Sequence, residues 1–287
     1  MTQTLRQKAE RVAQAFPGLL ARADRLASTL SFGEHGRLRA GVGDAFWQFR
    51  RAEPGDDVKF VDWRRSARSD EPYVRQTEWQ LAQLVLFWVD PSQSMQFGSN
   101  GLTKYDRASV LALATAILLS RQGERFGFAG GDIPSGTGSA QLERLEFALT
   151  SSTASADYGI PNVRGMRPGG RIAFFSDFFG DLNTIERAVN TAAARGVGGV
   201  FCMTLDPVEA AFPFKGRTKF ESMSGALTYE SQQAQGVAGD YKAALADRQN
   251  ALVALAKTSG WRFVLHHTGD PAIEALTDIY GAIGGQG

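Results

Sequence analysis

Asp90, Ser92 and Ser94 stand at alternate positions just after the apolar run Leu84-Val-Leu-Phe-Trp-Val89. One carboxylate and two hydroxyls form a hard, all-oxygen donor set, suited to Mg²⁺ or Mn²⁺ and poor for softer metals. Three donors leave an octahedron incomplete, so the other positions fall to other loops, to water or to a partner. The same spacing also describes a polar turn whose short side chains satisfy loop amides, and spacing alone does not separate the two.

The run that precedes these donors must position them. Six consecutive apolar residues, rich in β-branched and aromatic types, predict a strand buried on both faces of a parallel sheet. The strand stops at Asp90-Pro91, which sets the carboxylate at its carboxyl end, where open α/β sheets bind ligands. Two later apolar runs also end in acids: Arg171 to Ser176 at Asp177, and Gly199 to Leu205 at Asp206-Pro207. Asp-Pro favours a turn wherever it occurs, so Asp206 reads as structural.

Helical patterns fill the gaps between strands. Thr103 with Asp106 is a capping-box signature opening a helix to about Ser120, with Gly123 as its stop. A short strand over Arg125 to Ala129 and helices over Gln141 to Leu149 and Thr184 to Ala194 follow. Residues 208–237 read as irregular, with Phe212-Pro213-Phe214 and Phe220 suggesting an ordered excursion. A long helix over Tyr241 to Lys257, a strand over Trp261 to His266 and a last helix from Asp270-Pro271 to about Ile283 complete the chain. This alternation predicts an α/β fold over residues 83–287, a doubly wound and mainly parallel sheet. His266 and His267, adjacent on a strand, point to opposite faces and do not share a metal; a satisfied edge histidine is expected.

Residues 1–82 have another character, and they are expected to form N-terminal helices and a β-rich extension. Two short amphipathic helices are broken at Pro17-Gly18, and Phe46 to Phe49 and Val58 to Val61 read as strands. This segment holds 14 Lys and Arg against 11 Asp and Glu. Basic and aromatic residues cluster over 46–75, which offers nucleic-acid binding as an alternative function. Asp56, Asp57, Asp62, Asp70 and Glu71 interleave with those cations, however, and favour pairing within the protein, with no nucleic acid bound. Trp63 and Arg68 are expected to be structural.

The totals exclude other classes. A hydrophobic content of 43% with 21% charged residues fits a globular protein with a real core, and a net charge of +1 gives no bulk attraction to nucleic acid or anionic lipid. A single cysteine, Cys202, excludes an internal disulfide framework and reads as an inert buried thiol. The opening residues lack a signal-peptide pattern, and no apolar run is long enough for direct membrane insertion, so a cytoplasmic location is expected.

Asp-x-Ser-x-Ser after a buried strand resembles the metal-ion-dependent adhesion motif of von Willebrand factor A domains. Upstream, Pro54-Gly55-Asp56-Asp57, Asp62-Trp63 and Ser66-Ala67-Arg68, leading to Ser94-Met95, resemble the bacterial domain-of-unknown-function family 58 (DUF58), whose members are A-domain-like. The resemblance implies that Asp177 completes the outer shell of a Mg²⁺ (or Mn²⁺) site. It also implies a threonine from a loop before a helix, best matched by Thr137 in Gly136-Thr137-Gly138, with Ser139 close behind. A partner's Asp or Glu would fill the open coordination position. The resemblance further implies work alongside a MoxR-type AAA+ ATPase, as an adaptor in complex maturation or chaperone activity. Phe178 follows Asp177 where many A domains carry glycine.

The rival class is a Mg²⁺-dependent hydrolase or phosphatase of the strand-end-aspartate type. Its acid/base carboxylate belongs two residues after the first aspartate, where this chain has Ser92. Neither Ser92 nor Ser94 lies in a Gly-x-Ser-x-Gly elbow, and no P-loop is present. The expectation is a binding module with no catalytic residue.

Overall fold

The computed structural model describes residues 19–30, 46–51, 73–77, 83–131, 134–153, 156–225 and 228–284. The chain forms two compact units, one within residues 34–82 and one that joins the N-terminal residues to 83–287. In the smaller unit, β1 (Phe46–Arg51) pairs antiparallel with β2 (Tyr73–Thr77), with an irregularity between Phe46 and Gln48. The expected strand over Val58 to Val61, and Trp63 and Arg68, lie outside the described residues.

The larger unit is an open, doubly wound sheet. Its strands are β3 (Leu84–Val89), β4 (Arg125–Phe128), β5 (Arg171–Ser176), β6 (Gly198–Leu205) and β9 (Arg262–His267), all parallel, in the order β4-β3-β5-β6-β9. Alternate side chains of β3 enter different cores, because successive residues of a strand face opposite ways. Val85, Phe87 and Val89 join one cluster, and Leu86 and Trp88 join the other.

The first cluster is covered by the helical residues 19–30 (α1), α2 (Lys104–Arg121), α3 (Gly138–Ser151) and α7 (Ala272–Gly284). The second is covered by α4 (Leu182–Ala193) and α6 (Ala234–Ser259). Leu19, Ala23 and Ala27, at helical spacing, bury α1 in the first core, and the Leu20 amide donates to Glu146 Oε1 at 3.2 Å. That packing places α1 with the large sheet.

Residues 208–237, expected to be irregular with an ordered excursion, hold short regular elements. They comprise α5 (Pro207–Ala211), a hairpin of β7 (Thr218–Glu221) with β8 (Thr228–Ser231), and the first turn of α6. No helix among the described residues is long and apolar enough to cross a membrane.

Candidate functional site

The strand order fixes where a site belongs. After β3 the chain steps to β4 on one side, then crosses to β5 on the other, so the connections diverge above the β3/β5 pair. In doubly wound sheets this divergence opens a crevice at the carboxyl ends of the strands. Asp90 and Asp177 are the residues that follow β3 and β5.

Asp90 is 1% exposed. Its amide donates to the Phe175 carbonyl at 2.9 Å, which extends the β3/β5 pairing by one residue. Its Oδ1 accepts from the Ser92 amide at 2.9 Å, and its Oδ2 accepts from the Ser176 hydroxyl at 2.6 Å. Burial raises the Asp90 carboxyl above the ordinary aspartate range, and the nearby charge of Asp177 pushes the same way, against the Ser176 and Ser92 hydrogen bonds. Ser92 Oγ and Ser94 Oγ lie 3.2 Å apart, so the alternate spacing does bring both hydroxyls together.

A second loop closes over this one. The Gln93 amide donates to the Ala156 carbonyl at 2.8 Å and the Ser94 amide to the Asp157 carbonyl at 2.9 Å. Gly159 packs against the Asp90 carboxylate so tightly that a Cβ at this position would collide with it.

Asp177 is also 1% exposed, and it faces a cation the sequence reading did not single out. Lys104 Nζ donates to Asp177 Oδ2 at 2.8 Å and to Glu209 Oε1 at 2.6 Å, with the Lys104 side chain fully buried. Burial alone would lower the lysine pKa, but the charges of Asp177 and Glu209 outweigh it and hold the ammonium protonated. Glu209 is pushed up by its own burial, against the pull of Lys104. The close contacts are those of an ammonium between two carboxylates. The other Asp177 oxygen accepts from the Phe179 amide at 3.1 Å. Phe178, between them, takes a left-handed backbone (φ 53°) with its ring buried edge-on against Phe201 at 5.7 Å. A phenylalanine thus adopts the conformation that glycine would supply more readily.

Thr137 is not brought to this crevice. Gly136 is bridged to Phe126, the second residue of β4, so Thr137 lies toward the amino-terminal end of that strand, exposed and at the start of α3. Asp206 caps α5: its Oδ1 accepts from the Val208 amide at 2.8 Å, and Glu209 reaches back to the Asp206 amide at 3.0 Å. The expectation of a satisfied histidine is not met at His266, whose buried Nε2 has no hydrogen-bond partner among the described residues. His267 Nδ1 lies 3.1 Å from Asp270 Oδ2. Cys202 is fully buried, and burial pushes its thiol up to about 12, which leaves it inert at neutral pH.

The donor chemistry can be tested against a hard cation. The Ser92 and Ser94 hydroxyls lie together, and the amide and side chain of Ser92 meet the Asp90 carboxylate, so the oxygens gathered here fit one. Asp177 is already held by the Lys104 ammonium, whose charge opposes a second cation on the same carboxylate, so it fits only beyond the inner ring of ligands. Among the described residues no group of three or more His, Cys, Asp and Glu side chains is placed to hold a metal. The hydroxyls therefore carry much of any such site.

The profile of a family described as "Protein of unknown function DUF58" matches residues 48–251. The chain belongs to this family. Its DUF58 relatives include the uncharacterized protein Rv1480 of Mycobacterium tuberculosis (strain ATCC 25618 / H37Rv) and Mb1516 of Mycobacterium bovis (strain ATCC BAA-935 / AF2122/97). Each is 28% identical over 216 residues, covering 69% of this chain and 66% of the relative, so the DUF58 chain spans just under two thirds of their length. An aerotolerance-related membrane protein of Bacteroides fragilis NCTC 9343 is similar in structure with a TM-score of 0.42 and 14% identity, over 70% of this chain and 98% of that one. BatB of Bacteroides thetaiotaomicron gives 0.41 and 14%, over 68% and 95%.

Proposed function

We propose that this DUF58 chain is a protein-interaction module that captures its partner at the β3/β5 strand ends through a hard cation, Mg²⁺ or Mn²⁺. The observation that carries this reading is the convergence of Asp90, Ser92 and Ser94 at the sheet's switch point. Local charge supports it. Asp90, Asp177, Asp157 and Glu209 belong to the crevice and the groove beside it, while Lys104 is the ammonium paired with two of them. That excess of carboxylates favours an added cation.

In this reading the partner donates an Asp or Glu to the remaining coordination position. Such a bond gives orientation and reversibility without chemistry. Catalysis has little support, since Ser92 stands where a second carboxylate would act and Asp177 is engaged by an ammonium. A MoxR-type AAA+ ATPase is the proposed companion, with the DUF58 chain as a cytoplasmic adaptor in maturation or chaperone work.

The test is calorimetric titration with Mg²⁺ and Mn²⁺. Wild type should bind saturably, Asp90→Ala should not, and Thr137→Ala should titrate like wild type because its side chain is exposed and away from the crevice. Circular dichroism would verify that each variant is folded. Equal binding by wild type and Asp90→Ala would overturn the reading.

A further inference from the structure

Beside Ser94 opens a cavity of about 440 Å³ between α5, the β7–β8 hairpin and the start of α6. Its walls are aromatic. Phe212, which ends α5 in a left-handed conformation (φ 48°), stacks on Phe220 at 5.4 Å and tilts against Tyr241 at 4.7 Å. The hairpin register sets Phe220 opposite Tyr229, with ring centres 6.4 Å apart. The groove is also open to solvent: Tyr229 is 56% exposed and Met223 46%, and Tyr158 stands exposed at the rim. Large apolar side chains gathered around one opening mark an interaction surface.

The charged residues that line this surface are acidic. Asp157, Glu209 and Glu221 line the cavity, and among the described residues no Lys or Arg does; Glu209 is paired with Lys104 and Glu221 with Lys219, which leaves Asp157 as the lining carboxylate outside those ion pairs. The Ser224 amide donates to Asp157 Oδ1 at 3.1 Å, which fixes this carboxylate beside the hairpin. Aromatic faces are the negative ends of ring quadrupoles and attract cations, and a planar guanidinium stacks on them better than an ammonium does. The structure already shows this preference once: Lys104 Nζ lies 5.1 Å from the centre of the Phe179 ring, which also lines the groove.

We propose that this groove receives a cationic side chain, arginine by preference, carried on an apolar segment of the protein partner. The inference rests on the protein-interaction reading, but it does not require the cation at Asp90. Acid-bearing segments are disfavoured here by both the rings and the carboxylates. The partner's acid and its arginine therefore have separate seats, meeting near Ser94, which borders both the crevice and the groove.

The test uses the full chain with ¹³C-labelled methionine methyls, the Met223 signal being assigned by its loss in Met223→Leu. The probes are the capped tripeptides Leu-Arg-Leu, Leu-norleucine-Leu and Leu-Glu-Leu, each titrated with Mg²⁺ and again with EDTA. The arginine peptide should shift Met223 saturably with a Kd on the order of 1 mM. It should bind about tenfold tighter than the glutamate peptide, since one stacked and paired cation supplies roughly that difference. Tyr229→Ala and Asp157→Asn should each weaken it, and the shift should persist in EDTA. No Met223 shift, or equal binding of the three peptides, would overturn the groove assignment. A Met223 shift that persists while wild type and Asp90→Ala take up Mg²⁺ equally would remove the metal reading and leave the groove.

Discussion

Lys104 Nζ lies 2.8 Å from Asp177 Oδ2 with the lysine side chain fully buried and the aspartate 1% exposed, so one helix start and one strand end share a charge pair sealed from solvent. Lys104 is the first residue of α2, immediately after the Thr103 cap, where the helix dipole disfavours a cation. Asp177 and Glu209 must outweigh that cost together with the cost of desolvating the ammonium.

Truncation of the cation should therefore be severe. Lys104→Met is expected to cost about 3–5 kcal/mol in urea denaturation, because it leaves two partly or fully buried carboxylates without their partner. Adding Asp177→Asn should recover part of the loss by removing one of those charges. A single variant within about 1 kcal/mol of wild type would show that the pair contributes little to the fold.

Phe178 offers a test in which backbone and side chain pull apart. Phe178→Ala loses the buried ring, at about 3–5 kcal/mol, and keeps the left-handed backbone. Phe178→Gly loses the same ring but relieves a strain of about 1–2 kcal/mol. The glycine variant is expected to have the higher melting temperature of the two. The reverse order would mean that the position does not hold its left-handed conformation in solution.

His266 makes stability depend on pH. Burial, helped by Arg107 and His267 and opposed by Asp270, lowers its pKa to about 4. The unfolded chain takes up this proton near pH 6.5 and the folded chain only near 4, so stability attributable to His266 falls as pH drops between those values. Above pH 6.5 both states are neutral and the effect vanishes. The full span corresponds to about 3 kcal/mol. In His266→Phe, the loss of unfolding free energy between pH 7 and pH 5 should be smaller than in wild type, and an identical loss would argue against a buried neutral imidazole.

The large sheet was legible because its signals are local. The β3 run, Thr103 with Asp106, and the run ending at Asp177 each state an element in a few neighbouring residues, and α2 does carry both hydrogen bonds of the expected capping box. Asp90, Ser92 and Ser94 were legible for the same reason. Lys104 was not, since its partners lie 73 and 105 residues away. One signal was available: a lysine directly after a helix cap opposes the dipole and needs a partner from elsewhere. Glu209 was hidden behind the turn reading of Asp206-Pro207, although Asp-Pro-x-Glu is itself a capping box with proline at the first helical position. The β7–β8 hairpin escaped because its strands are four residues long and largely exposed, with little periodicity to detect.

Gly159 sets the terms on which an ion reaches Asp90. The segment carrying it is fastened across the donors by two main-chain hydrogen bonds, and the glycine leaves no clearance above the carboxylate. An ion seated there would lie beneath this segment, so its exchange would depend on the segment as well as on the number of ligands. A methyl at position 159 would fall on the carboxylate itself, so either Asp90 or the segment above it would have to move and the donor set would be disturbed without any ligand being replaced.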